Sequence, residues 1–417
     1  MVLNEVIISK SKLLFLILLW SCFINSQTID VCKTCNFKTI KKAIKFSSIN
    51  DTIFIQKGTY KESDIEINKP LIIIGNDRPI IDGEYEGEIF NIKSDDVIIK
   101  GLKIVNVGKS YIKDYAAIRV IRAKNFNISD NIFDNLFFGI YIEKSSHGVI
   151  YNNKIYGNSK EEYSSGNGIQ LWYSNDILVS NNYVTGVRDG IYLEFSDNCK
   201  IISNTSHNNL RYGLHFMFSD NDIYEKNSFV DNGAGVAVMF SKQINMNDNL
   251  FKDNWGTASY GLLLKEINDS NITNNIFDKN TTAVNIEGSN RLIFKHNNFT
   301  NNGWAIKVRG ACYANNFTYN NFIFNSFDLS YNSSVNDNIF ENNYWSSYNG
   351  YDLDNDGYGD VPYRPVKLFT YIVNTVPETV VLLRGLFVHI INFSEKVSPV
   401  FTPKKLLDQN PLMNIIR

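Results

Sequence analysis

The chain has 417 residues, 44% hydrophobic and 20% charged, a balance that excludes disorder for most of its length. Lys plus Arg number 41 against 43 for Asp plus Glu, so no basic excess recommends a nucleic-acid partner. Length alone points to two or three ordinary domains, but the second half is crowded with Asn, which makes internal repeats the first feature to seek.

At the N-terminus, Lys10 and Lys12 precede the apolar run Leu13–Leu19, and polar Asn25, Ser26 and Gln27 follow. A basic flank, a short apolar stretch and a polar exit predict a signal peptide over residues 1–26 and therefore export. The run is short of the roughly 20 residues a membrane span needs. Cys22 lies in this region and hints at lipid attachment, although Trp20 fits such a site poorly. Cys32 and Cys35 form a C-x-x-C pair, read as a disulfide in an exported protein, with a metal or redox pair as the alternative. No second C-x-x-C completes a closed zinc site. Ile40–Phe46 is helix-like and predicts a cap; Asp51–Tyr60 predicts the first strand and turn.

From about residue 125 one unit recurs. Its small opening residue is Gly168, Gly190, Gly213, Gly235, Gly261, Ala283 and Ala305, spaced by 22, 23, 22, 26, 22 and 22 residues. Gly139 opens an earlier unit, with an insertion around Glu161–Ser165 before the next. A period near 22 made of short β-type stretches predicts an all-β fold, a right-handed parallel β-helix over residues 27–366. Roughly 13 rungs stacked at strand spacing give a length of about 60 Å. One position after the opener lie Ile140, Ile169, Ile191, Leu214, Val236, Leu262, Val284 and Ile306, and three after it another wholly apolar set, so both columns face the core. Asn131, Asn153, Asn182, Asn204, Asn227, Asn249, Asn275 and Asn297 predict a hydrogen-bonded ladder at one turn. Phe133, Phe229, Phe251, Phe277 and Phe299 predict an internal aromatic stack.

Function must lie in the outward columns. Met is scarce, with five in all, yet Met217 and Met239 share one outward column on adjacent rungs. His215 lies two residues before Met217 on the same face. Two thioethers and an imidazole form a soft donor set suited to Cu(I); the plainer reading is an exposed, adaptable docking patch. Met246 falls in an inward column, while His147, His207, His296 and His389 show no partner in register and read as solvated. Glu143, Asp189 and Glu194 could cluster on the same face, as carboxylates do in polysaccharide-cleaving solenoids. Met217 and Met239 interrupt that acidic column, which therefore reads as a solvated face.

The repeat breaks at Asn343–Trp345. Asp352, Asp354, Asp356 and Asp360 follow in a D-x-D-x-D-G-x-G-D loop, which has calcium-type oxygen ligands at alternate positions. Tyr363 stands where a bidentate Glu belongs, and a plain capping turn competes with calcium. Asp360–Pro365 closes the solenoid as an extended segment. Residues 367–417 form a helical and extended tail, whose stripe Val380, Val381, Leu383, Leu386, Phe387 and Ile390 either folds back or docks a partner.

Several consecutive stretches resemble the NosD family. These are Tyr-Gly-Leu-His-Phe-Met-Phe-Ser at 212–219, Gly-Val-Ala-Val-Met-Phe-Ser at 235–241 and Tyr-Gly-Leu-Leu-Leu-Lys-Glu-Ile at 260–267. The Tyr-Trp and Asp-x-Asp-x-Asp-Gly-x-Gly-Asp-x-Pro-Tyr-Arg-Pro signature within 343–365 adds to them. The resemblance implies a periplasmic accessory protein, not an enzyme, that assists maturation of nitrous oxide reductase. It would help assemble the copper–sulfide centre by transient handling of copper, or of sulfur. Implied partners are the permease and ATPase subunits of an ABC transporter, a copper chaperone and the reductase. The family motifs include His215, Met217 and Met239; Cys32 and Cys35 stand outside them. Two other readings compete: a carbohydrate-active enzyme using Glu143, Asp189 and Glu194, and a scaffold that only docks proteins.

Overall fold

The computed structural model describes residues 26–110, 112–332, 337–383, 385–397 and 406–416; nearly all of the predicted signal peptide, with Cys22, lies outside them. Three parallel sheets run along the molecule, with 14, 13 and 12 strands. In the order the chain visits them they are sheet I (with Thr52–Ile55), sheet II (with Thr59–Lys61) and sheet III (with Ile65–Ile67). Each coil adds one strand to each sheet, giving the right-handed parallel β-helix the period predicts. Register partners such as Ile169↔Ile191, Leu214↔Val236 and Val284↔Ile306 reproduce the repeat columns residue by residue. Both apolar columns are buried from Ile140 to Val308. The openers are small because the next rung passes close: a Cβ on Gly235 would lie 2.3 Å from the Gly261 carbonyl oxygen.

Polar ladders hold the turns. In the predicted one, each Asn Nδ2 donates to the Oδ1 of the next rung's Asn, from Asn131–Asn153 at 3.1 Å to Asn320–Asn343 at 3.1 Å. The same Oδ1 also accepts a backbone N–H, as in Asn227 N to Asn249 Oδ1 at 2.9 Å. Buried amides must be satisfied, and each such bond contributes about 1 kcal/mol net. A second ladder runs through Asn209, Asn232, Asn254, Asn280, Asn302 and Asn325. A third uses Ser145, Ser174, Ser196, Ser219 and Ser241 hydroxyls as acceptors for the preceding rung's N–H. The internal aromatic stack is continuous from Phe229 through Phe251, Phe277, Phe299 and Phe322 to Trp345. Phe133 stands apart from it, because Ile155, Val184 and Ser206 fill the rungs between.

Helix α1 (Ile40–Phe46) buries Ile40, Ala43 and Ile44 over the first coil. Both Glu62 carboxylate oxygens accept from its first N–H groups, at 2.7 and 3.0 Å. Cys32 and Cys35 are joined by a disulfide just before it. The opposite end is closed by a segment that the expected docking tail does not foresee. Residues 406–416 return to the last rung, where Asp408 bridges Phe340 and Tyr363 and Leu412 bridges Tyr344 and Tyr358. Between them lie α2 (Leu368–Thr375), a 3-10 turn (Pro377–Leu382) and α3 (Leu386–Val397). Phe369, Val373 and Val388 pack on Phe327 at the end of sheet III, with Trp304, Leu383 and Ile391 around them. The opposite face leaves Val381, Leu386, Phe387, Ile390 and Phe393 exposed. The stripe thus divides between folding back and facing outward. Among the described residues no helix is long and apolar enough to cross a membrane.

Candidate functional site

The longer connections share one edge. Residues 106–115, 157–168 and 253–261 all link sheet II to sheet III. Two of them come near that sheet's outer side: Arg119 on that face donates to the Asp114 carbonyl, and the Glu162 charge acts on Arg211 beside it. An outward residue of sheet III is therefore not automatically exposed.

Register sets Met217 opposite Met239, between Glu194 and Lys265. Both side chains are half-buried. His215 occupies the neighbouring outward column between Tyr192 and Ala237. The expectation of an exposed imidazole is overturned, since His215 is only 4% exposed. Its ring is flanked by Tyr192 and Tyr212, with centroids at 4.9 and 4.8 Å. Its Nδ1 lies 3.9 Å from Asp189 Oδ2, too far for a hydrogen bond. Neither ring nitrogen has a hydrogen-bond partner among the described residues.

Asp189 is also not solvated; it is fully buried. Arg188 and Arg211 approach it at 3.6 and 3.8 Å, and Tyr212 N donates to it at 3.3 Å. Such charge balance is what a buried carboxylate requires. Burial and the Glu194 carboxylate raise the Tyr192 phenol above its usual range. Of the three predicted carboxylates, Asp189 and Glu194 both act on Tyr192, but Glu143 does not join Glu194. Trp172 stands between Glu143 and Glu194 in register, separating them by about 9.6 Å at two strand spacings. Glu143 instead faces Arg119 at 3.6 Å, in a cavity of about 490 Å³ shared with Asp64, Glu86 and Glu88.

A feature beside the Met pair escapes the repeat columns. Tyr173, Phe195, Phe218 and Phe240 stack face to face on successive rungs, with centroids 4.6, 5.0 and 5.0 Å apart. All have positive φ, from 49 to 55°, at the turn just past the Trp172, Glu194, Met217 and Met239 column. Because the rings cover one another's faces, their edges point outward and offer an apolar rim. The aromatic-Ser pairs at 173–174, 195–196, 218–219 and 240–241 are the signal that could have revealed it.

Elsewhere, Met246 is buried as expected. His207 is not simply solvated; its Nε2 meets the Tyr183 hydroxyl. In the acidic loop, oxygens of Asp352, Asp354 and Asp356 lie within 4.8 Å of one another. Asp360 does not join them, because its carboxylate accepts from Leu353 N at 2.7 Å. Asp356 raises the Asp354 carboxyl above its ordinary range, which is the mark of negative charge gathered at one point.

Comparison with known proteins follows the same pattern. The family described as "Periplasmic copper-binding protein (NosD)" matches residues 152–351, the stretch that carries the Met pair and the aromatic rim. The chain resembles the NosD proteins. It is 24% identical over 374 residues to the "Probable ABC transporter binding protein NosD" of Stutzerimonas stutzeri, covering 85% of each. It is 27% identical to the Pseudomonas aeruginosa protein of that name, covering 84% of this chain and 85% of that one. A "Right handed beta helix region" matches residues 28–184. Among solved structures, PfbA, a surface adhesin of Streptococcus pneumoniae, shares the fold with a TM-score of 0.55 at 14% identity, covering 67% of this chain and 85% of its own. The catalytic unit of an alpha-1,3-glucanase from Streptomyces thermodiastaticus does so with 0.53 at 12% identity, covering 74% and 62%. At these identities the two structures speak to fold alone.

Proposed function

We propose that this NosD-like protein works in the periplasm as a non-catalytic copper relay. It would receive and release Cu(I) on the outer face of sheet III during maturation of nitrous oxide reductase. The observation that carries this reading is the placement of two half-buried thioethers, Met217 and Met239, in register on adjacent strands. His215 stands on the same face with both ring nitrogens uncommitted among the described residues. Thioether and imidazole donors suit a soft monovalent ion and carry no charge that would hold it permanently. The aromatic rim from Tyr173 to Phe240 excludes water on one side, which favours a weakly hydrated ion. The exposed face of α3, with Leu386, Phe387, Ile390 and Phe393, is the docking surface for the transporter permease, whose ATPase drives the cycle. A copper chaperone would load the site and the reductase would accept the ion. The cluster of Asp352, Asp354 and Asp356 is proposed separately as a seat for calcium.

The test is an anaerobic Cu(I) titration of the mature chain against a competing chelator. Met217→Ala with Met239→Ala should weaken affinity at least about tenfold, the equivalent of losing one good ligand. Equal affinity of the double variant and wild type would place copper elsewhere. A carbohydrate-active role would require Glu143, Asp189 and Glu194 to act together, and the Trp172 rung between Glu143 and Glu194, with Asp189 held by Arg188 and Arg211, does not favour it.

A further inference from the structure

A second cavity lies at the other end of the solenoid, where the last rung gives way to the helices. It encloses about 610 Å³ between the turn 347–351 and the segment 361–367, a size that suits a small organic ligand. Tyr348, Tyr351, Pro362 and Val366 give it an apolar wall; Arg364 and Lys367 supply two cations, and no acidic side chain lines it. One end of the Arg364 guanidinium, Nη1, is buried with no hydrogen-bond partner among the described residues. The carboxylate nearby, Asp328, already accepts from Ser347 Oγ at 3.2 Å and Tyr363 Oη at 3.3 Å and feels the Lys367 charge, which leaves Arg364 as the cation to be matched. A buried guanidinium nitrogen without an acceptor is costly, and Arg364 itself is only half-buried, so its Nη1 is the one end that lacks a partner among the described residues.

We propose that this cavity binds a small organic anion, a carboxylate on a flat apolar body. The carboxylate would pair with Arg364, with Lys367 adding charge, and the body would lie among Tyr348, Tyr351, Pro362 and Val366. Arg364 suits this role because its planar fork matches a carboxylate in two-bond geometry. Lys367 is the residue before α2, so a bound anion would tie the last rung to the start of the helical tail.

The experiment is calorimetric titration of the full mature chain with 2-naphthoate and, separately, with its neutral isostere 2-naphthamide. The acid should bind at least about tenfold more tightly than the amide, as expected for a charge-assisted pair. Arg364→Gln should remove that preference, and Lys367→Gln should reduce it severalfold. Arg364→Gln should melt no lower than wild type, because it removes the buried, unpartnered Nη1. Equal binding of acid and amide, absence of heat with millimolar naphthoate, or an unchanged preference in Arg364→Gln would each overturn the proposal. The acid–amide comparison needs no variant, so it stands even where a substitution disturbs folding.

Discussion

Asp408 closes the main Asn ladder from outside the repeat, and replacing it should unravel one end of the solenoid only. Its carboxylate accepts from Asn342 N, Asn343 N, Asn343 Nδ2 and Trp345 Nε1 at 3.0, 3.0, 3.2 and 2.8 Å. In Asp408→Ala, Asn343 Nδ2 keeps the Phe317 and Glu341 carbonyls. Asn343 N and Trp345 Nε1 are left as buried donors with no other acceptor among the described residues of the ladder, each costing about 1–3 kcal/mol. Removing the carboxylate recovers part of this, because burial raises its pKa against the opposing bonds from Trp345 and Asn343. The balance is a loss of roughly 3 kcal/mol. In a solenoid each rung contacts only its neighbours, so the loss stays local. Amide hydrogen exchange should show Asn321–Ile323 and Ile339–Glu341 losing protection by about a hundredfold, with Thr52–Ile55 unchanged. Asp408→Asn, which keeps one acceptor, should lose about half of that free energy. Unchanged protection at the C-terminal rungs, or an equal loss along the whole stack, would refute the capping argument.

Lys307 lies over the Trp304 ring at 4.4 Å, and burial, with Arg309 assisting, lowers its pKa to about 8. Between about 8 and its ordinary value the unfolded chain binds more protons, so this group makes stability rise with pH across that window. Subtracting a Lys307→Met melting series from wild type over pH 7–10.5 should isolate that rise; a flat difference would contradict it. Calcium titration should give a heat signal that Asp354→Asn diminishes, and an identical signal in the variant would exclude the Asp352–Asp356 loop. Leu386→Asp with Phe387→Asp should abolish co-purification with the permease while leaving Cu(I) affinity unchanged. Retained co-purification would remove α3 from the interface.

What the sequence makes legible here is whatever repeats. The opener, the inward columns and the first Asn ladder recur at one period, and each predicted position lands in register with its neighbour on the next rung. The second Asn ladder was hidden by the abundance of Asn itself, since Asn209 and Asn232 look like turn residues until their side chains are seen to bond. Asp408 was invisible for the opposite reason, because it belongs to no repeat and reaches Asn343 from 65 residues away. His215 shows a limit of a different kind. Alternation along a strand reports only that a side chain points away from the core, and says nothing of what lies over it. Over His215 lie the rings of Tyr192 and Tyr212, one on the rung before and one on its own strand. On the outer face of sheet III, buried His215 stands in the column beside half-buried Met217 and Met239. A solenoid can thus acquire a site without disturbing its core columns: the stack carries stability, and the outward neighbours, here Tyr192 and Tyr212, decide which outward residues meet water.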